Sequence, residues 1–231
     1  SPNAAEASSR STTRSKAWSL TSARKASIAA GVGGNPVRSS VTRRSNRSGA
    51  AGGVGIAAVE LGRAMGLEVI AAASTQEKVD FCLKHGAHKG LVYAQKLDKD
   101  GQKKFADDIK TVSGGGVDIV YDGVGGDYAE PAVRAMNWEG RFLVIGFPAG
   151  IPKLPLNLTL LKSCDVRGVF WGAAVARDQK AHHANVADLF RMYGEGKIKP
   201  HISNTYPLAK GGDAIRELMD RKAQGKVVVV M

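Results

Sequence analysis

The stretch with the most specific chemistry is Gly49-Ala50-Ala51-Gly52-Gly53-Val54-Gly55. Glycines at this spacing let a backbone turn come close to an anionic group. The residues that follow keep an i, i+3, i+4 apolar stripe (Val54, Ala57, Ala58, Leu61, Ala64 and Met65), which predicts a helix from Val54 to Met65, stopped by Gly66. The start of such a helix offers unpaired N–H groups and the positive end of the helix dipole to a phosphate. Gly52 is the expected point of approach to a pyrophosphate, and Gly55 the point where helix and strand pack closely. With a strand over Glu68–Ala73, this is the layout of a dinucleotide-binding βαβ unit. A glycine turn alone is equally a structural feature, so the choice depends on its neighbours.

The decisive neighbour is the end of the second strand. An acid there would hold the ribose hydroxyls of NAD. This chain has Ser74-Thr75-Gln76-Glu77-Lys78 instead. Ser74 is small and uncharged, and Lys78 lies one turn into the next helix, within reach of a 2′-phosphate. The pattern favours NADPH, against the alternative that Lys78 is a solvated helix residue. Glu77, the one nearby acid, comes too late for the ribose position.

The elements that must position these residues alternate along the chain. Thr75 caps a helix running to about His85. Short strand Leu91–Tyr93 is followed by helix Phe105–Val112, strand Val117–Asp122, helix Tyr128–Met136 and strand Gly140–Phe147. Beyond loop Pro148–Pro155 come helix Leu156–Lys162, strand Val166–Trp171 and helix His182–Gly194. Ile198–Ile202 is expected to be extended, Ala209–Ala223 helical and Lys226–Met231 a last strand. Strict alternation of strand and helix argues an α/β fold with a parallel, doubly wound sheet of the Rossmann type.

Several segments together resemble the NADPH:quinone oxidoreductase branch of the zinc-independent medium-chain dehydrogenase/reductase superfamily. They are Ala51–Gly55, Ser74 with Lys78, Tyr93, Val117–Gly126, Gly140–Phe147, Val169–Gly172 and Gly225–Val228. The likeness runs in order from residue 49 to the C-terminus. It implies hydride transfer from NADPH to a quinone or other α,β-unsaturated carbonyl, without zinc and with no assigned acid or base, because the cofactor carries the chemistry. It also implies roles. Gly52, Gly53 and Val54 meet the diphosphate and nicotinamide side, with Gly55 beside them among the cofactor-binding positions; Ser74 and Lys78 meet the 2′-phosphate, and Tyr93 the adenosine end. Gly123, Val124, Gly146 and Phe147 line the nicotinamide ribose and ring, and Phe170 to Gly172 close over it. Plain core packing is the alternative for Tyr93, Phe147 and Phe170. An enoyl-thioester reductase of the same superfamily is the related activity, and a truncated, non-catalytic dinucleotide-binding fragment is the alternative outside enzymes. By the same resemblance, Val166–Trp171 is an edge strand able to pair two copies into a homodimer.

Residues 1–48 depart from this pattern. They hold nine Lys/Arg and one acid, whereas residues 49–231 hold 24 and 20, so the formal charge of +12 is concentrated in a basic Ser/Arg-rich tail. The tail lacks an apolar period and is expected to be disordered. A transit peptide, a basic arm for polyanions and a misread, non-native start all remain open. The third accounts for the polar run Val41–Ser48 standing where an apolar strand should feed the glycine turn. Gly31-Val32-Gly33-Gly34 has Pro36 and no helix pattern behind it. The family's N-terminal GroES-like β domain has no counterpart here. The domain boundaries are therefore read as tail 1–48, NADP-binding domain 49–197, and segment 198–231 returning to the absent domain, its last strand left without a sheet partner.

Other signals are weaker. Tyr206-Pro207-Leu208-Ala209-Lys210 fits the Tyr-x-x-x-Lys of short-chain dehydrogenases, but Pro207 takes Tyr206 out of helical geometry. His85 and His88 have no third ligand nearby, so no metal site is expected. Scattered arginines give no specific nucleic-acid stripe. No run reaches membrane-spanning length. Cys82 and Cys164 form no CxxC pair, which fits a reducing, cytoplasmic setting, or an organelle if the tail is a transit peptide.

Overall fold

The computed structural model describes residues 38–42, 50–220 and 223–231. The expectations for residues 1–37 and 43–49, the Gly31–Gly34 run included, lie outside them. In chain order the elements are β1 (Arg38–Thr42), α1 (Gly53–Ala64), β2 (Glu68–Ala73), α2 (Gln76–Lys84), β3 (Lys89–Val92), α3 (Lys99–Ser113), β4 (Val117–Asp122), α4 (Ala129–Arg134) and β5 (Met136–Val144). They continue with α5 (Asn157–Lys162), β6 (Asp165–Gly168), α6 (Trp171–Arg177), α7 (Gln179–Gly194), β7 (Ile202–Pro207), α8 (Gly211–Met219) and β8 (Lys226–Val230).

Strands β1 to β6 form one parallel sheet in the order β3-β2-β1-β4-β5-β6. Burial on both faces follows from the residues of β2. Alternate side chains of a strand point to opposite faces. Ile70 and Ala72 join a cluster with Phe105, Ile109, Val120 and Phe142, whereas Val69, Ala71 and Ala73 join Ile56, Val59, Val79 and Cys82. A strand apolar on both faces needs helices on both sides, which the β–α alternation supplies. Helix α1 comes close to β2 at Gly62, where a Cβ would lie 2.9 Å from Val69 Cγ2.

Local chemistry fixes the helix starts. Thr75 Oγ1 accepts the Lys78 N–H at 3.3 Å, and Asp98 Oδ1 accepts the Gly101 N–H at 2.7 Å. Each satisfies a donor that a helix leaves unpaired at its start.

Five expectations need correction. The polar segment ahead of the glycine turn does contain a strand. β1 sits at the centre of the sheet, registered Arg38↔Glu68 through Thr42↔Ala72 on one side and Ser39↔Ile119, Ser40↔Val120 on the other. Ladder hydrogen bonds are made by the backbone, so a segment with no apolar period still fills the gap between two apolar strands. The last strand also has a partner, since β8 pairs in parallel with β7, from Ile202↔Lys226 to Pro207↔Val230. The edge strand ends at Gly168, and Trp171 opens α6, so the apolar run Val166–Trp171 spans a strand end and a helix start. Helix α3 begins six residues before Phe105, because Asp98 caps it. Helix α8 is shorter than Ala209–Ala223 and follows a 3-10 turn over Leu208–Lys210.

Cys82 and Cys164 are not joined in a disulfide. Among the described residues no helix is long and apolar enough to cross a membrane.

Candidate cofactor site

The strand order reverses between β1 and β4, and in open parallel sheets ligands bind outside the carboxyl ends of the strands at that point. The glycine turn arrives there. Gly52 is the extended N-cap of α1 (φ −74°, ψ 162°), and its carbonyl accepts the Gly55 and Ile56 N–H groups at 2.8 and 3.0 Å. The first turn of α1 contains no acid and no side chain caps it. The positive end of its dipole is therefore left to an outside anion. Val54 is exposed and Gly55 buried.

The C-terminal segment docks on this turn, which no local pattern announces. Gly225 donates its N–H to Ala51 O at 2.7 Å and forms an isolated parallel bridge with Gly52. A Cβ on Gly53 would sit 3.1 Å from Gly225 O and 3.1 Å from the Lys226 stem. Glycine at 53 thus admits the docked chain at close range.

At the end of β2, Ser74 and Lys78 are half-buried and Thr75 is exposed. Glu77 Oε1 accepts from Gln224 Nε2 at 2.6 Å. The one nearby carboxylate is thereby engaged by the same C-terminal segment.

Two loops at the ends of β4 and β5 are tied together. Asp122, 2% exposed, accepts the Val124 and Gly125 N–H groups on Oδ1 at 2.8 and 3.0 Å. Its carbonyl accepts from Ile145 and Gly146, Val124 O accepts from Ala149 N, and Gly150 O from Gly126 N. Gly123 and Gly146 are half-buried, Val124 is buried, and the Phe147 side chain stands outward, 51% exposed. Asp122 is the site residue that sequence reasoning misses. Its place at a strand end, two residues before Val124, is the signal that points to it.

The remaining candidates separate. Phe170 lies at the N-cap of α6, 80% exposed, with Gly172 in the first turn, so neither Phe147 nor Phe170 is core. Tyr93 is buried, its ring 5.7 Å from Phe105 and 5.6 Å from Tyr128. The two histidines weighed as metal ligands serve the backbone: His85 Nδ1 meets Phe81 O at 2.8 Å, and His88 Nδ1 accepts the Val69 N–H at 3.0 Å. Tyr206 is in β7, not on a helix with Lys210, and donates its hydroxyl to Glu217 Oε2 at 2.7 Å. That contact, more than burial, pushes its pKa up.

Sheet order, glycine turn and paired loops define a Rossmann-type unit, and its likeness to quinone oxidoreductases makes it one of the medium-chain dehydrogenase/reductase kind, on that branch. The chain belongs to the zinc-binding dehydrogenase family, whose sequence profile matches residues 53–188. It is 35% identical over 182 residues to quinone oxidoreductase-like protein 2 of Rattus norvegicus, covering 78% of this chain and 50% of that protein. It is 30% identical over 184 residues to the acryloyl-coenzyme A reductase of Sulfurisphaera tokodaii, covering 79% and 49%. The Thermus thermophilus quinone oxidoreductase, solved alone and in complex with NADPH, superposes with a TM-score of 0.65 at 28% identity, over 90% of this chain and 62% of that one. The chain spans about half the length of the curated relatives it matches. Among the described residues no three His, Cys, Asp or Glu side chains converge as a metal would require. The zinc of the family's description therefore finds no donor set among them.

Proposed function

We propose that this chain is the dinucleotide-binding half of an oxidoreductase that reduces a quinone or another α,β-unsaturated carbonyl with NADPH. The observation that carries the reading is the pairing of an uncapped, acid-free glycine turn with a strand end bearing Ser74 and Lys78, where the one nearby acid is held by Gln224. The names of the relatives support the reaction class, and the bound cofactor of the Thermus structure supports NADPH.

Bound NADPH would supply a hydride. The protein's part is to bind, orient and exclude water. In this reading Gly52, Gly53, Val54 and Gly55 take the diphosphate, and Ser74 and Lys78 take the 2′-phosphate. Tyr93 backs the adenosine end from the core. Gly123, Val124, Gly146 and Phe147 receive the ribose and nicotinamide, with Phe170 and Gly172 on the β6 side. Residues 49–197 form the cofactor domain, and 198–231 face a substrate wall supplied by sequence outside 49–231. Two cysteines outside any disulfide fit a reducing, cytoplasmic setting.

The exposure of Phe147 and Phe170 favours a second reading for the isolated chain, binding without turnover, because half a cleft excludes water poorly. NADPH titration by fluorescence, paired with NADPH consumption in the presence of a quinone, tests both. Binding with slow or no consumption is the expected result. Absence of binding would sink the cofactor assignment, and oxidation of NADPH by an enoyl thioester in preference to a quinone would move the substrate class.

Strand β6 is the edge of the sheet and all four of its residues are exposed. We assign it as the seam of a homodimer, since an unpaired edge offers a row of backbone donors and acceptors. Sedimentation equilibrium is expected to give a dimer, and a Val166→Pro variant a monomer. A parent chain that stays monomeric at tens of micromolar would refute the seam.

A further inference from the structure

A cavity of about 840 Å³ has no residue of the glycine turn, the β2 end or the β4 and β5 loops in its walls. It is walled by the last turns of α1 (Glu60, Arg63, Ala64), the end of α2 (Lys84, His85) and the segment from Gly196 to Ile202. The volume is within the ordinary range for small-molecule sites. Four fixed cations line it: Arg63, Lys84, Lys197 and Lys199. Lys197 is paired with Glu195 at 2.6 Å. Arg63, Lys84 and Lys199 have no ion-pair partner among the described residues.

A simpler account exists for part of this. Arg63 and Lys84 close the last turns of their helices, where a base complements the dipole. Two helix C-termini offset roughly half a charge each. Lys199 is on neither helix, and Glu60 is the one carboxylate in the lining. Its carboxylate accepts the Lys199 backbone N–H, burial pushes its pKa up, and it is one charge against the three of Arg63, Lys84 and Lys199. The rim therefore stays net positive after the dipoles are counted. Behind it, the rings of Phe81, His85 and His201 pack together with centroids 4.2 to 5.0 Å apart, a firm floor beneath the charged tips.

We propose that this cavity is a second anion site, separate from the glycine turn, that takes a small phosphate-bearing molecule through Arg63, Lys84 and Lys199. A guanidinium presents paired N–H donors that match phosphate oxygens, and two lysines from other segments line the same cavity. The three cations come from three separate stretches of chain, so the site forms only in the folded protein.

The test is calorimetric titration of inorganic pyrophosphate into the full chain, a Lys84→Gln/Lys199→Gln variant and a Lys103→Gln variant, whose lysine lies on α3 outside both sites. All the altered lysines are exposed, so both variants are expected to fold like the parent, which circular dichroism checks. The expected result is an affinity at least tenfold weaker in the double variant and unchanged in Lys103→Gln, with a marked fall as salt rises. Equal affinity in the double variant, an equal loss in Lys103→Gln, or no binding would each overturn the site. Citrate binding in place of pyrophosphate would overturn its phosphate chemistry.

Discussion

Replacing Gly125 by valine is expected to destabilise the protein by about 2 to 6 kcal/mol and to remove dinucleotide binding with it. Gly125 has φ +71° and ψ −148°, a conformation essentially closed to other residues and costing roughly 1–3 kcal/mol. A Cβ there would also lie 2.6 Å from Gly150 O, 2.6 Å from Phe147 Cβ and 2.9 Å from Phe147 Cα. Two of these are backbone atoms of the facing loop, which cannot swing aside, so overpacking adds about 1–3 kcal/mol. Urea unfolding measures the effect as a lower midpoint with an unchanged slope. Gly146→Ala is the control, because the nearest atom to its added Cβ is 3.9 Å away and a change within about 0.5 kcal/mol is expected. If Gly125→Val unfolds at the parent's midpoint, the two loops are not locked as described.

Lys78→Glu is expected to weaken NADPH binding tenfold to a hundredfold or more and to leave NADH binding nearly unchanged. A hydrogen bond to a charged group contributes about 1.5–3 kcal/mol, and each 1.4 kcal/mol is a factor of ten in affinity. The fold is not expected to suffer. What Lys78 gives α2 is its backbone N–H to Thr75 Oγ1, which any residue but proline keeps, and an acid in the first turn complements the dipole. Parallel titrations of the two dinucleotides decide the matter. Equal losses for both, or for neither, would remove Lys78 from the 2′-phosphate.

What can be read from the residues alone divides along a physical line. β2 is an apolar run buried in the sheet, β4 keeps an apolar centre at Ile119 and Val120, and Thr75 is a cap, so pattern and capping chemistry place them. The glycine turn and Ser74 with Lys78 are legible because each lies in a few consecutive residues. β1 is not, since Arg-Ser-Ser-Val-Thr carries no apolar period and its position is set by backbone pairing with strands that come later. The contacts of Gln224 and Gly225 are hidden for a related reason: Gln224 meets Glu77, and Gly225 meets Ala51 and Gly52, across most of the chain's length. Trp171 reads as strand because one apolar run crosses from an edge strand into a helix start.

The bridge from Gly52 to Gly225 also sets an order of events during synthesis. Its two ends are 173 residues apart. At ordinary ribosomal speeds of about 5–20 residues per second, residue 225 follows residue 52 by on the order of ten to thirty seconds. Strands β2 to β5 can find one another within that interval, while the glycine turn still waits for its last contact. The turn proposed to meet the nucleotide is thus among the last parts to be finished, and a nascent chain has the parallel sheet well before it has the completed turn.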